Sequence, residues 1–212
     1  MAEQNLTTLG REASAEFTEK KSVFIGYTAP VKNAEEAEEF IRKIKKKHAD
    51  ARHNVFAYVL RGGALKRDSD DGEPQGSAGM PVLDVICKNG LDGAAVVVTR
   101  YFGGILLGTG GLVRAYSSAA SAAIADAGII TYEEVVVLRM RCSYTDHARV
   151  QNEFAKFGIE VEDTEFASDV LLTMTAPTAT VENFKVKMRD LTGGRSIPEE
   201  TGRKLAPPRK LF

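Results

Sequence analysis

The chain has no tryptophan, and only two cysteines, Cys87 and Cys142, in 212 residues. Two thiols far apart, each inside an apolar-periodic segment, make neither a disulfide framework nor a zinc motif. That usage fits a reducing compartment, and no apolar leader opens the chain, so the expectation is a cytoplasmic protein. Histidine is scarce as well. His48, His53 and His147 show no metal-ligand spacing, and no metal or other cofactor is expected. No apolar run reaches the roughly 18 residues of a membrane span, so no membrane partner is expected. An excess of one charge is also missing. Lys and Arg total 28 against 29 Asp and Glu, a net charge of −1. Attraction to nucleic acid must therefore come from a local patch. A content of 43% hydrophobic and 27% charged residues excludes a disordered chain.

Periodicity predicts an α+β protein of two domains, 1–133 and 134–212. Val23, Ile25 and Tyr27 alternate in a hairpin turned by Glu19-Lys20-Lys21. Asn33 can cap a helix, with Glu36 in the capping-box position. Ala37, Phe40, Ile41, Ile44 and His48 follow at helical spacing. His53–Leu60 and Ala94–Thr99 read as strands, and residues 61–76 as a polar loop. Pro81 opens a helix that Gly90 stops, and Leu112–Ala127 is a helix ended by Gly128. Past Glu133, Leu138, Met140 and Cys142 alternate with Arg139 and Arg141 as a half-buried strand. Val150, Phe154 and Phe157 mark a helix face. Strand candidates follow at Ile159–Phe166 and Ser168–Ala176. Val181, Phe184, Met188 and Leu191 mark another helix, before an edge strand near Pro198. The order is β-α-β-β-α-β, the ferredoxin-like unit.

Three blocks carry the chemistry. The strand Val97-Val-Thr-Arg100 runs through Tyr101-Phe102 into a loop holding Gly103, Gly104, Gly108, Gly110 and Gly111, then into an Ala-rich helix. Such a loop brings backbone N–H groups to a helix N-terminus, where an anion can sit. Arg100 and Arg114 flank it. The P-loop spacing of Gly103 and Gly108 fails at Thr109-Gly110, and G-x-G-x-x-G fails at Val113. The second block is Arg67-Asp-Ser-Asp-Asp-Gly-Glu-Pro-Gln-Gly-Ser-Ala-Gly-Met-Pro81. Asp70, Asp71, Gly72 and Glu73 form its acidic turn. It can curl round a cation, or its aspartates can accept backbone N–H groups and cap Gly76–Gly79. Ser77 is not in G-x-S-x-G, because Gln75 takes the first glycine position. The third block, Lys45-Lys-Lys-His-Ala-Asp-Ala-Arg-His-Asn-Val-Phe-Ala-Tyr58, holds Lys45, Lys46, Lys47, Arg52 and His53. These residues can meet phosphates, or they can be the basic end of a helix that Glu35, Glu36, Glu38 and Glu39 begin.

Together these blocks resemble the IMPACT family with its bacterial YigZ-like members. The resemblance implies a two-layer α/β N-terminal domain like the second domain of a small-subunit ribosomal protein. For the C-terminal domain it implies a ferredoxin-like domain of the elongation-factor-G type. It also implies a link to translation, since eukaryotic relatives act on initiation through protein partners.

No catalytic residue is nominated. The reading is a non-enzymatic binding protein that regulates translation through RNA, the ribosome or a translation-associated protein. Its surface would comprise Lys45, Lys46, Lys47, Arg52, His53, Arg100, Gly104, Gly108, Gly110, Gly111 and Arg114. The glycines are expected to serve backbone geometry through positive φ or close packing. The alternative is an enzyme for a phosphorylated or nucleotide substrate at the loop pair 67–79 and 100–111. Arg203, Lys204, Arg209 and Lys210 read as a small basic tail.

Overall fold

The computed structural model describes residues 5–207. Arg209 and Lys210 of the expected tail lie outside them. One compact unit runs from Leu6 to Thr131, and a second takes up the chain from Tyr132.

The first unit is built from β1 (Leu6–Leu9), β2 (Ala13–Glu19), β3 (Ser22–Pro30), α1 (Ala34–Lys47), β4 (His53–Leu60), β5 (Leu65–Ser69), α2 (Gly79–Lys88), β6 (Ala94–Tyr101) and α3 (Thr109–Ala127). Its main sheet has the antiparallel order β2-β3-β6-β4-β5. The β2–β3 turn has positive φ at Lys20 (46°) and Lys21 (67°), the backbone a two-residue hairpin of matching twist requires. Asn33 Oδ1 accepts from Glu36 N–H at 2.8 Å and starts α1. Glu36 Oε2 accepts from Lys32 N–H, one residue ahead of the capping-box position. β5 lies inside the stretch expected to be loop. It has little apolar alternation, and its pairing with β4 makes it a polar edge strand.

The expected two layers are three. Val55, Ala57 and Val59 of β4 and Val96 and Val98 of β6 pack with α2 and α3. Tyr58, Leu60, Ala95 and Val97 point the other way and pack with Phe40, Ile41 and Ile44 of α1. Strands buried on both faces carry near-continuous apolar runs, which is how Ala94–Val98 reads. The helix α3 sits close to the sheet because both surfaces are small. A Cβ placed on Gly26 of β3 would stand 2.5 Å from Ala119 O and 3.0 Å from Ala123 Cβ.

β7 (Ile129–Cys142) begins in the first unit, where Thr7 Oγ1 of β1 lies 3.1 Å from Thr131 Oγ1, and continues into the second. There α4 (Tyr144–Phe154), β8 (Glu160–Phe166), β9 (Val170–Pro177), α5 (Val181–Thr192) and β10 (Glu199–Ala206) follow. The antiparallel order is β10-β7-β9-β8. Leu138, Met140, Leu172 and Met174 meet Val150, Phe154, Phe184 and Met188 in one core. Gly158 and Gly193 supply the left-handed residues that end the helical segments. Arg203 and Lys204, expected in a tail, are strand residues paired with Glu134 and Glu162. Among the described residues no helix is long and apolar enough to cross a membrane.

The Gly26 contact yields a stability test. Gly26→Ala should lower the unfolding free energy by about 1–3 kcal/mol through overpacking against α3. Urea denaturation of the full chain checks it, and a neutral result would mean that α3 shifts freely on the sheet.

Candidate functional site

Neighbouring β4 and β6 place His53 opposite Arg100 and Asn54 opposite Thr99. Arg100 continues the parity of Val96 and Val98, so its side chain points under α3 and only 6% of the residue is exposed. The loop after β5 returns over this strand end and inserts Glu73, whose side chain is 4% exposed. Arg100 Nη1 donates to Glu73 Oε1 at 2.6 Å, and Tyr116 Oη donates to the same oxygen at 2.8 Å. His53 Nε2 stands 4.0 Å from it. The guanidinium lies 5.4 Å from each of the Phe24 and Phe102 ring centres. Burial beside Glu73 pushes the Tyr116 hydroxyl far above its ordinary pKa, so it stays a donor. His53 Nδ1 is 2.9 Å from Asp71 O. A carbonyl only accepts, so Nδ1 carries the proton.

The aspartates of the loop diverge instead of converging on a cation. Asp70 accepts from Gly76, Ala78 and Gly79 N–H at 2.8–3.0 Å, which caps the chain entering α2. Burial alone would raise its pKa. The three backbone donors outweigh burial and hold the carboxyl below the ordinary range. Asp71, at φ 46°, accepts from Asn54 N–H at 2.7 Å and from Lys45 Nζ at 2.6 Å. Among the described residues no group of three or more His, Cys, Asp or Glu could hold a metal.

On the α1 face a second polar chain has one direction. Tyr101 Oη donates to Asp50 Oδ1 at 3.0 Å, so its oxygen accepts from His48 Nδ1 at 2.9 Å. His48 Nε2 then accepts from Tyr27 Oη at 2.8 Å, which accepts from Lys47 Nζ at 3.2 Å. Burial, helped by Lys47, lowers the His48 pKa and keeps the ring neutral.

The glycine loop divides by role. Gly104 and Gly108 have positive φ, 83° and 68°. Gly110 and Gly111 do not have it. They lie in the first turn of α3, where a Cβ at Gly110 would meet only Arg114 Nη1 at 3.7 Å and one at Gly111 would lie 3.0 Å from Leu107 Cβ. Gly103 is the crowded position, since its Cβ would overlap Lys21 C and O. Around this backbone Phe102, Ile105 and Leu106 are exposed, Leu106 by 83%.

The expected basic surface is thus split. Lys46, Lys47, Arg52 and Arg114 are exposed, and Lys45 is half-buried against Asp71. Arg100 and His53 are corrected from surface contacts to internal partners of Glu73 and Asp71. Tyr116 belongs to no motif, and Gly103 stands out in the sequence only through its P-loop spacing. Tyr116 follows Leu112 by one helical turn, which marks it as inward. For Gly103 no local signal exists, because the clash is with a distant hairpin.

Comparison with known proteins places these blocks in context. The Impact N-terminal domain model matches residues 20–124, and a domain of unknown function, DUF1949, matches residues 140–195. The IMPACT family member YvyE of Bacillus subtilis is 35% identical over 194 residues, covering 91% of this chain and 89% of its own. The IMPACT family member YigZ of Escherichia coli is 33% identical over 178 residues, 82% and 87% of the two chains. Protein IMPACT of Rattus norvegicus is 34% identical over 100 residues, 44% of this chain and 31% of its own. A crystal structure of a hypothetical protein superposes with a TM-score of 0.60 at 29% identity, over 93% of this chain and 97% of that one.

Two expectations follow from the geometry. Glu73→Gln leaves the Arg100 guanidinium buried without a counter-charge, and should cost about 3–5 kcal/mol in denaturant unfolding. Asp70 has a folded pKa below its unfolded value of about 3.9. Its contribution is therefore complete above that pH and is lost as pH falls through the lower, folded value. Asp70→Asn should destabilise at neutral pH and flatten the acid limb of a pH series of thermal melts.

Proposed function

Because the chain belongs to the IMPACT family, we propose that it is a non-enzymatic binding protein and a translation regulator that acts through RNA, the ribosome or a translation factor. The two units act as separable domains, 1–133 and 134–212. The first is akin to the second domain of a small-subunit ribosomal protein, and the second is a ferredoxin-like domain. One observation supports this reading above the enzyme alternative. The carboxylates of the acidic loop are spent inside the unit: Glu73 on Arg100 and Tyr116, Asp70 on the N–H groups of Gly76, Ala78 and Gly79, and Asp71 on Asn54 N–H and Lys45, while Arg100 keeps a buried Nε without a partner among the described residues. A group that is itself buried and already neutralised by its partner is a poor acid, base or phosphate clamp. The exposed chemistry lies outside that knot: the cations of Lys46, Lys47 and Arg52, and the apolar loop residues Phe102, Ile105 and Leu106. Exposed cations and an exposed apolar loop suit a macromolecular surface, where phosphates meet the charge and a ring or side chain covers the loop.

Ribosome co-sedimentation across a salt series tests this. Binding should be strong near 50 mM salt and fade by about 200 mM, because each phosphate contact releases a counterion. The variant Lys46→Glu, Lys47→Glu, Arg52→Glu should lose binding with its melting temperature kept. Absence of any RNA or ribosome association at low salt would end the translation reading and turn attention to phosphorylated metabolites at the loop pair.

A further inference from the structure

The second unit has two unlike sheet faces. Leu138, Met140 and Cys142 of β7 point into the core under α4 and α5. Arg139 and Arg141 alternate with them and point to the opposite face. There a cleft of about 550 Å³ is lined by Arg139, Arg141 and Arg195 together with Leu171, Ile197 and Glu199. We propose that this cleft binds a phosphorylated ligand of nucleotide size, with the phosphate held by the three guanidinium groups.

Charge argues for an anion. Three arginines and one carboxylate, Glu199, line the cleft; Arg141 and Arg195 each pair with an aspartate outside the lining, which leaves Arg139 as the cation with no ion pair of its own among the described residues. The Arg139 side chain makes no ion pair or hydrogen bond among the described residues, although Glu199 sits opposite it across the strands. The other two arginines are positioned but not used up. Arg141 spends only Nη1 on Asp169, at 2.9 and 3.2 Å. Arg195 spends Nε and Nη2 on Asp146 and keeps Nη1 free of it. Both side chains remain more than 60% exposed. Asp146 and Asp169 do not line the cleft. They steer the arginines without occupying the site.

Chemistry then selects the class of anion. A guanidinium offers a planar fork of N–H donors that matches phosphate oxygens, and three forks suit a group with three oxygens and about two negative charges better than a carboxylate. Leu171 and Ile197, the latter 40% exposed, add apolar surface for a ring beside the phosphate. The volume lies inside the range of ligand pockets, roughly 300–1,000 Å³. No residue is shared with the loop pair or with the basic end of α1, so the site stands independently of the function proposed above.

The test is titration of the full chain at low salt with inorganic pyrophosphate, ADP and uncharged adenosine, followed by calorimetry and by the Gly194 amide resonance. Pyrophosphate and ADP should bind with roughly millimolar affinity or better and adenosine should not. Arg139→Gln should weaken ADP roughly tenfold, a loss of about 1.4 kcal/mol, with an unchanged melting temperature. Lys46→Glu with Lys47→Glu should leave ADP binding as it is. A 5′-phosphorylated oligoribonucleotide separates the two sources of the phosphate. If it binds more tightly than ADP and is also lost in Arg139→Gln, the ligand is a strand end. If it binds no better, the ligand is a free nucleotide. No heat and no Gly194 shift with either pyrophosphate or ADP overturns the proposal, as does parental affinity in Arg139→Gln.

Discussion

The ion pair between Glu73 and Arg100 holds the first unit's polar end together. Both side chains are almost fully out of water. A buried pair of this kind is costly to form and still costlier to break, since either partner alone is a charge without solvent. Its neighbours lower that cost. Tyr116 adds a hydroxyl donor from α3, and the Phe24 and Phe102 rings flank the guanidinium. One carboxylate thereby joins the loop after β5, the end of β6 and the second turn of α3. Asp70 caps α2 and Asp71 binds β4 within the same loop that Glu73 anchors over the sheet. The acidic sequence that suggests a cation site is a brace.

How far the sequence discloses this depends on whether a signal is local. α1, β4, β6 and α3 follow from periodicity and caps, and the observed bounds lie close to those read from the residues. β5 was hidden because Leu65-Lys-Arg-Asp-Ser69 carries a single apolar residue. Its strand character comes from pairing with β4. The third layer is visible in hindsight in Ala94–Val98, where a half-buried strand would have alternated. Arg100 was legible as well. Counting in twos from Val96 and Val98 puts it inward, whereas its charge and nearby glycines drew it to the surface. Glu73 had no such marker, because a loop has no period. The opposed roles of Gly103 and Gly110 depend on whichever atoms stand beside them, and sequence spacing carries no information on that.

The second unit shows the opposite case. Alternation at the end of β7 sends Leu138, Met140 and Cys142 to the helices and Arg139 and Arg141 to the other face. In the sequence Arg139 and Arg141 are the residues that alternate with the apolar positions of a half-buried strand. Their convergence with Arg195 needs the α5–β10 connection, more than fifty residues away in the chain. A charged site assembled from strands far apart leaves only isolated cations in the linear record.

The contact between Gly103 and the β2–β3 turn has a bearing on descent. Gly103 N–H donates to Ser22 Oγ at 3.1 Å, and the space a side chain would need is filled by the Lys21 backbone. That backbone is itself held at positive φ through Lys20 and Lys21. Neither segment can therefore drift alone. A lineage that lengthens the turn releases the demand for glycine, and one that acquires a side chain at position 103 must remodel the turn in the same step. Over divergence the pair should be inherited as one character, although eighty residues of chain separate its halves.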